Sequence, residues 1–172
     1  NAQDPITLTI PPSEIYVDDN GSNDYGDGSQ ASPYETIQHA LQFYDHCPLK
    51  IILLSGTYQE NGIHIGSGQT ITSWENITIE GAGKDLTIIE PLNTVYGSFI
   101  ILESSVSINN ITIKDLAIKD MVQNNDFRKG GAFYIENAQN VLFEGVKFKN
   151  CQTYQGGSYT DRHGGAIYLD NN

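Results

Sequence analysis

Two unlike sequence elements recur along this chain at nearly the same spacing, and that recurrence constrains the fold more than any other feature. Asn76-Ile77-Thr78-Ile79-Glu80-Gly81 is repeated as Asn110-Ile111-Thr112-Ile113-Lys114-Asp115, and again as Asn140-Val141-Leu142-Phe143-Glu144-Gly145. The copies start 34 and then 30 positions apart. The second element, Gly130-Gly131-Ala132-Phe133-Tyr134-Ile135-Glu136-Asn137, returns 34 positions later as Gly164-Gly165-Ala166-Ile167-Tyr168-Leu169-Asp170-Asn171. A looser copy, Ser98-Phe99-Ile100-Ile101-Leu102-Glu103, precedes it. Two elements with one elastic period imply stacked coils joined by variable loops. One coil has no partner for its backbone, whereas a stack pairs each strand with the coils above and below. Alternation within each copy sends one set of Ile, Val, Leu and Phe inward. Asn ahead of each strand tolerates a left-handed backbone at a corner, and Gly-Gly supplies a tight turn.

The segment ahead of the repeats differs. Residues 1–13, with Pro5, Pro11 and Pro12, read as an arm or linker. Ile15-Tyr16-Val17 is a short strand that runs into a polar loop, residues 18–29. Ser32-Pro33-Tyr34-Glu35 has the form of a capping box with Pro at the first helical position. Ile37, Ala40, Leu41 and Tyr44 follow at helical spacing, so a helix is predicted over 33–46, ended by Pro48. From residue 50 the chain breaks into strands of three to five residues that end at Gly, Asn or Asp. The predicted organisation is an arm (1–13) and one β-helix domain (14–172), made of an N-terminal cap (14–48) and coils (49–172).

These elements carry a family resemblance. Ile15-Tyr16-Val17-Asp18-Asp19-Asn20-Gly21-Ser22, Gly26-Asp27-Gly28-Ser29 and Ser32-Pro33-Tyr34-Glu35-Thr36-Ile37 look like the entry coil and cap of the pectate-lyase-like superfamily of right-handed parallel β-helices. Ile52-Leu53-Leu54-Ser55-Gly56-Thr57-Tyr58 and Gly81-Ala82-Gly83 resemble its first full strand and turn and a further coil element. The Gly-Gly-Ala elements with Phe148-Lys149-Asn150 resemble repeats of polymorphic outer-membrane proteins and adhesin-like proteins. The resemblance implies an all-β, right-handed parallel β-helix with a short N-terminal capping α-helix. It also implies a secreted or cell-surface setting.

Charge and chemistry narrow the function. Nine basic residues face 21 acidic ones, a net charge of −12, which disfavours nucleic acid as a partner. No apolar run approaches the roughly 20 residues of a membrane helix, so no membrane insertion is expected in this segment. Cys47 and Cys151 lie in no metal spacing and read as two buried free thiols, with a single bridge between them as the alternative. Asp18, Asp19, Asp24 and Asp27 could hold calcium, the only ion expected and no cofactor besides, although a solvated turn explains that loop without an ion. Superfamily enzymes work on acidic polysaccharides with carboxylate clusters or calcium and a basic residue. Here Lys114, Asp115, Lys119 and Asp120 do not converge in one strand, and no catalytic residue is assigned. Glu103, Glu136 and Asp170 end equivalent segments and could line one face. The loop at 152–163 is the longest insertion; its Tyr154, Tyr159, Arg162 and His163 are the candidate ligand-binding residues. Of three sequons, Asn20 alone reads as an exposed glycosylation acceptor.

The expected function is therefore non-enzymatic: an adhesin-like surface module serving as rigid stalk or recognition surface, with a glycan or cell-surface protein as partner. One alternative is the N-terminal part of a polysaccharide lyase or glycoside hydrolase. Another is a fibre subunit that self-associates end to end or through its N-terminal arm.

Overall fold

The computed structural model describes residues 13–43, 48–60, 62–66, 73–92, 99–101, 107–123, 130–153 and 165–170. The chain is mostly β, and all its named strands pair in parallel. The first sheet holds β1 (Ser13–Val17), β2 (Leu49–Leu53), β5 (Ser73–Gly81), β8 (Ser107–Lys114) and β12 (Ala138–Glu144), in that order. The second holds β3 (Gly56–Gln59), β6 (Thr87–Glu90), β9 (Ala117–Lys119) and β13 (Lys147–Lys149). The third holds β4 (Ile63–Ile65), β7 (Phe99–Ile101), β11 (Phe133–Glu136) and β15 (Ile167–Asp170). A short pair, β10 (Val122–Gln123) and β14 (Gln152–Thr153), lies apart from these. From β2 on, the chain thus visits the three sheets in the same order, and each strand pairs with its counterpart from the next round.

The register turns sequence repetition into apolar columns. Ile51, Ile79, Ile113 and Phe143 align across the first sheet, and Tyr58, Ile89, Ile118 and Phe148 across the second. Phe133 lies beside Phe99 and Ile167 in the third. Ile51, Ile79, Ile113, Ile89, Ile118 and Phe133 are wholly buried. Each such side chain contributes roughly 1.5–3 kcal/mol on leaving water.

Strands of the first sheet run to nine, eight and seven residues, longer than the three to five expected. The excess comes from the corner asparagines. Asn76, Asn110 and Asn140 have φ of 58°, 54° and 53°, so each bends the strand without ending its ladder. The Asn110 amide donates to Asn76 Oδ1 at 3.1 Å, and the Asn140 amide to Asn110 Oδ1 at 3.2 Å. Left-handed backbone costs other L-residues about 1–2 kcal/mol. Asn110→Ala, which also breaks two amide contacts, is expected to cost about 2 kcal/mol. Asn110→Gly should recover the backbone part. Urea titrations read both; a loss no greater than that of the exposed control Gln139→Ala would contradict this role for the corner.

The N-terminal region departs from expectation at two points. Ser13 is the first residue of β1, not part of an arm, and its amide donates to Pro48 O at 2.9 Å. The helix α1 spans Ile37–Leu41, with Thr36 as N-cap and the His39 amide donating to its Oγ1. Ser32 does not cap it. Residues 32–34 are already committed elsewhere: the Ser32 amide donates to Ser29 O, the Ser22 amide to Pro33 O, and the Tyr34 amide to Tyr16 O. The polar loop fastens the helix start, because Asn23 Oδ1 accepts from the Glu35 and Thr36 amides. Gly21 is required there, since a Cβ would stand 2.4 Å from Tyr34 O.

Candidate functional site

The outward face of the second sheet carries the site. Inward positions of that sheet are Tyr58, Ile89, Ile118 and Phe148, so the residues between them lie on its outer face. One outward column runs Thr57, Ile88, Ala117, Lys147. Lys119 and Lys149 are register partners in the neighbouring column, on strands about 4.8 Å apart. The turn before β6 brings up Lys84 and Asp85. Together these residues line a groove of about 280 Å³ that crosses the strands, with Ile88 and small Ala117 as its floor. Four of the chain's seven lysines meet here, in a protein of net charge −12.

Not all of this charge is free. Lys147 Nζ lies 2.9 Å from Asp85 Oδ1, and that ammonium holds Asp85 below its usual range. Lys119 Nζ lies 3.1 Å from Glu90 Oε2 and 3.4 Å from Asp120 Oδ2. The Gln59 amide and then Lys119 hold Glu90 low, while Glu90 raises Lys119. Asp120 is held low first by the Asn150 amide, which donates at 2.8 Å. Lys84 and Lys149 make no ion pair among the described residues. Lys84 still helps to hold Asp85 low, and Lys149 does the same for Asp120, so the groove sets four ammonium groups and three carboxylates beside an apolar strip.

A second concavity lies where α1 meets the second sheet, lined by Asp19, Glu35, Tyr58 and Glu60 among others. Glu60 is the buried acid of that lining. It is 7% exposed, and its two oxygens accept from the Ile37 amide at 2.6 Å and the Gln38 amide at 3.1 Å. Burial pushes its carboxyl up to about 7, against the pull of those two amides. The Tyr58 hydroxyl lies 2.9 Å from Val17 O and 2.8 Å from Leu54 O, and burial raises it well above its usual range.

The sequence-predicted residues are distributed as follows. Asp18 Oδ1 accepts from the Asn20 amide at 2.9 Å, Asp19 Oδ2 from the Thr57 amide at 2.8 Å, and Asp27 Oδ1 from the Ser29 amide at 2.9 Å. These carboxylates thus serve the backbone of their loop and of β3, and Asp24 is exposed. Among the described residues no group of three or more His, Cys, Asp or Glu is placed to hold a metal ion. Asn20 is exposed, with its amide on Asp18 and Asp19. Lys114 belongs to an alternating ladder on the first sheet, where Glu80 Oε2 sits 3.1 Å from Lys114 and 3.0 Å from Lys50, and Lys50 reaches Glu14 at 3.8 Å. Asp115 is a corner residue with φ 54°. Glu136 and Asp170 are register partners, and Glu103 lies outside the described residues. Tyr134 and Tyr168 stack at 5.5 Å, as their equivalent positions imply. Cys151 is a free, half-buried thiol, while Cys47 lies outside the described residues. So do Tyr154, Tyr159, Arg162 and His163.

Sequence reasoning passed over the groove and Glu60. The groove lysines were separable from ordinary surface charge only through their register, which places residues from three circuits side by side. Glu60 follows Tyr58-Gln59 with no local motif, and its partners stand on another segment.

No family model matches the chain, and no curated protein matches it. Among solved structures it is similar to pectin methylesterase PemA from Erwinia chrysanthemi, with 14% sequence identity and a TM-score of 0.53. The match covers 94% of this chain and 46% of that one, so the chain spans about half the length of the structure it matches. Together with the parallel sheets, this likeness supports a parallel β-helix as the fold.

Proposed function

We propose that this chain is a right-handed β-helix module of an extracellular or cell-surface protein of the adhesin-like kind, capped by α1, and that the outer face of its second sheet recognises a glycan. The observation that carries the reading is the groove over Ile88 and Ala117. It crosses successive strands fixed by parallel pairing, so a chain-like ligand lying along it meets a rigid surface. An apolar strip flanked by charged heads on flexible stems suits the mixed faces of a sugar. Rigidity limits the ordering cost of binding.

The test is retention of the protein on a panel of immobilised neutral and charged polysaccharides. Ile88→Glu, a change at a partly buried floor position, is expected to abolish retention while the unfolding midpoint stays near that of the parent. Equal retention of parent and variant would remove the groove from the function.

A second reading draws on the likeness to a pectin methylesterase and on the share of that chain matched: the module is the N-terminal part of a longer carbohydrate-acting enzyme. Release of methanol or of unsaturated sugar from pectin by a longer form would favour it over the adhesin-like reading.

A further inference from the structure

We infer that a second copy of this chain docks on the far edge of β12, and that the docking segment is Ile6-Thr7-Leu8-Thr9-Ile10 of its N-terminal arm, added as a further parallel strand. The first sheet ends at β12, and among the described residues no strand pairs with its other edge. The Asp115 amide donates to Glu144 O, so Glu144 and Leu142 turn their backbone groups toward β8. Val141 and Phe143 turn theirs away from it, because successive residues of a strand alternate in this respect. Their side chains are short of cover as well. Ile77, Ile79, Ile111 and Ile113 hold the same register positions and are wholly buried, whereas Val141 and Phe143 are only partly buried. Leu142 between them is 52% exposed. A bare edge of this kind is a template for one more strand.

The sequence selects the strand. β5 and β8 contain Ile77-Thr78-Ile79 and Ile111-Thr112-Ile113, with Ile inward and Thr outward. Residues 6–10, which lie outside the described residues, read Ile6-Thr7-Leu8-Thr9-Ile10, the same alternation of large apolar residue and Thr. No named strand of the other two sheets carries an Ile-Thr-Ile stretch. Setting Leu8 beside Phe143 puts Ile6 beside Val141 and Thr7 beside Leu142. The inward column then continues, and Thr7 extends the row begun by Thr78 and Thr112. Geometry selects a second copy. β1 and β12 are the two ends of the five-stranded order, so at about 4.8 Å per strand a strand beyond β12 lies roughly 24 Å from β1. Only Pro11 and Pro12 stand between Ile10 and Ser13, where β1 begins, and three residue steps span at most about 11 Å. A chain's own arm therefore falls short of its own β12. Direct stacking of β1 on β12 is blocked, because the outer edge of β1 is taken: the Tyr16 amide donates to Gly28 O, the Tyr34 amide to Tyr16 O and the Asp18 amide to Tyr34 O. The arm joins two unlike surfaces, a strand-addition contact that is heterologous and repeats from copy to copy.

The test begins with sedimentation of the whole chain at concentrations rising to roughly millimolar, the range of a weak contact. The average mass is expected to climb above that of one chain. Leu8→Asp should weaken the association by roughly tenfold or more, as loss of one buried Leu contact implies, and leave the unfolding midpoint unchanged. If Leu8→Asp does not fold, Thr7→Pro, which removes the amide that would donate to Val141 O, is read in its place. A synthetic peptide of residues 1–12 is then titrated into the variant chain, whose edge stays open, while the Val141 and Phe143 amides are followed by NMR. The peptide is expected to shift both amides and slow their hydrogen exchange, and the same peptide carrying Leu8→Asp is not. A chain that stays monomeric throughout would overturn the inference, as would association undiminished in the variant. Peptide-induced shifts confined to residues outside β12 would place the arm elsewhere and overturn the edge. Slow exchange of both amides in the dilute monomer would mean that the edge is already covered, by a further circuit of the same chain, and would overturn it too.

Discussion

Between pH 5 and pH 8, Glu60 alone is expected to lower the stability of the fold by on the order of 3 kcal/mol. The sign follows from burial. The carboxyl is pushed from 4.5 to about 7 in the folded chain and returns to its ordinary value on unfolding. The folded state therefore binds the extra proton between those limits. Its contribution is fully present below about pH 4.5 and is lost as pH rises through 7. Glu60→Gln keeps one oxygen for the Ile37 amide but cannot ionise. It also turns an NH2 toward a second donor, the Gln38 amide, which costs about 1–2 kcal/mol at every pH. Urea unfolding of both proteins at pH 5, 6, 7 and 8 isolates the residue, because the other carboxylates are common to the two. The variant's curve against pH should be flatter by the stated amount. Parallel curves would mean that Glu60 does not titrate between folded and unfolded states in this range.

Phe133→Ala is expected to cost about 3–5 kcal/mol. The ring has no solvent exposure and stands edge-on to Phe143 at 4.8 Å and to Phe148 at 6.0 Å. It thereby joins all three sheets, since Phe143 belongs to the first and Phe148 to the second. Phe148→Ala removes a partly exposed ring and should cost less than half as much. Denaturant titrations rank the two. Equal losses, or a Phe133 loss below about 1.5 kcal/mol, would mean that the three sheets do not share the core described above.

The architecture was legible in the sequence because parallel pairing demands in-register copies. Asn76, Asn110 and Asn140 mark the same corner three times, and the alternation around Ile79, Ile113 and Phe143 marks the same inward column. The start of the helix was not legible. Ser32-Pro33-Tyr34-Glu35 satisfies every local rule for a capping box, but Tyr16 and Ser22 take the backbone of that stretch first. The actual partner of the first helical amide, Glu60, lies 23 positions away. The groove was hidden for the same reason. Lys84 and Lys149 line one groove only once the strands between them are laid side by side, and no spacing in one dimension reports that. Tyr154, Tyr159, Arg162 and His163 are not placed among the described residues, so their role stands as a proposal for mutagenesis.

The partners Ser13 and Leu49, Leu49 and Ile77, Ile77 and Ile111, and Ile111 and Val141 are 36, 28, 34 and 30 residues apart, yet they align in one sheet. All of that variation is absorbed between strands. Lengthening a connecting segment carries only a slowly growing entropic cost. Such a chain can therefore gain or lose decoration on one circuit without shifting the residues of the next. Natural variation, and deliberate grafting of a peptide, can both act on the connections as a freely editable margin while the written columns stay in line.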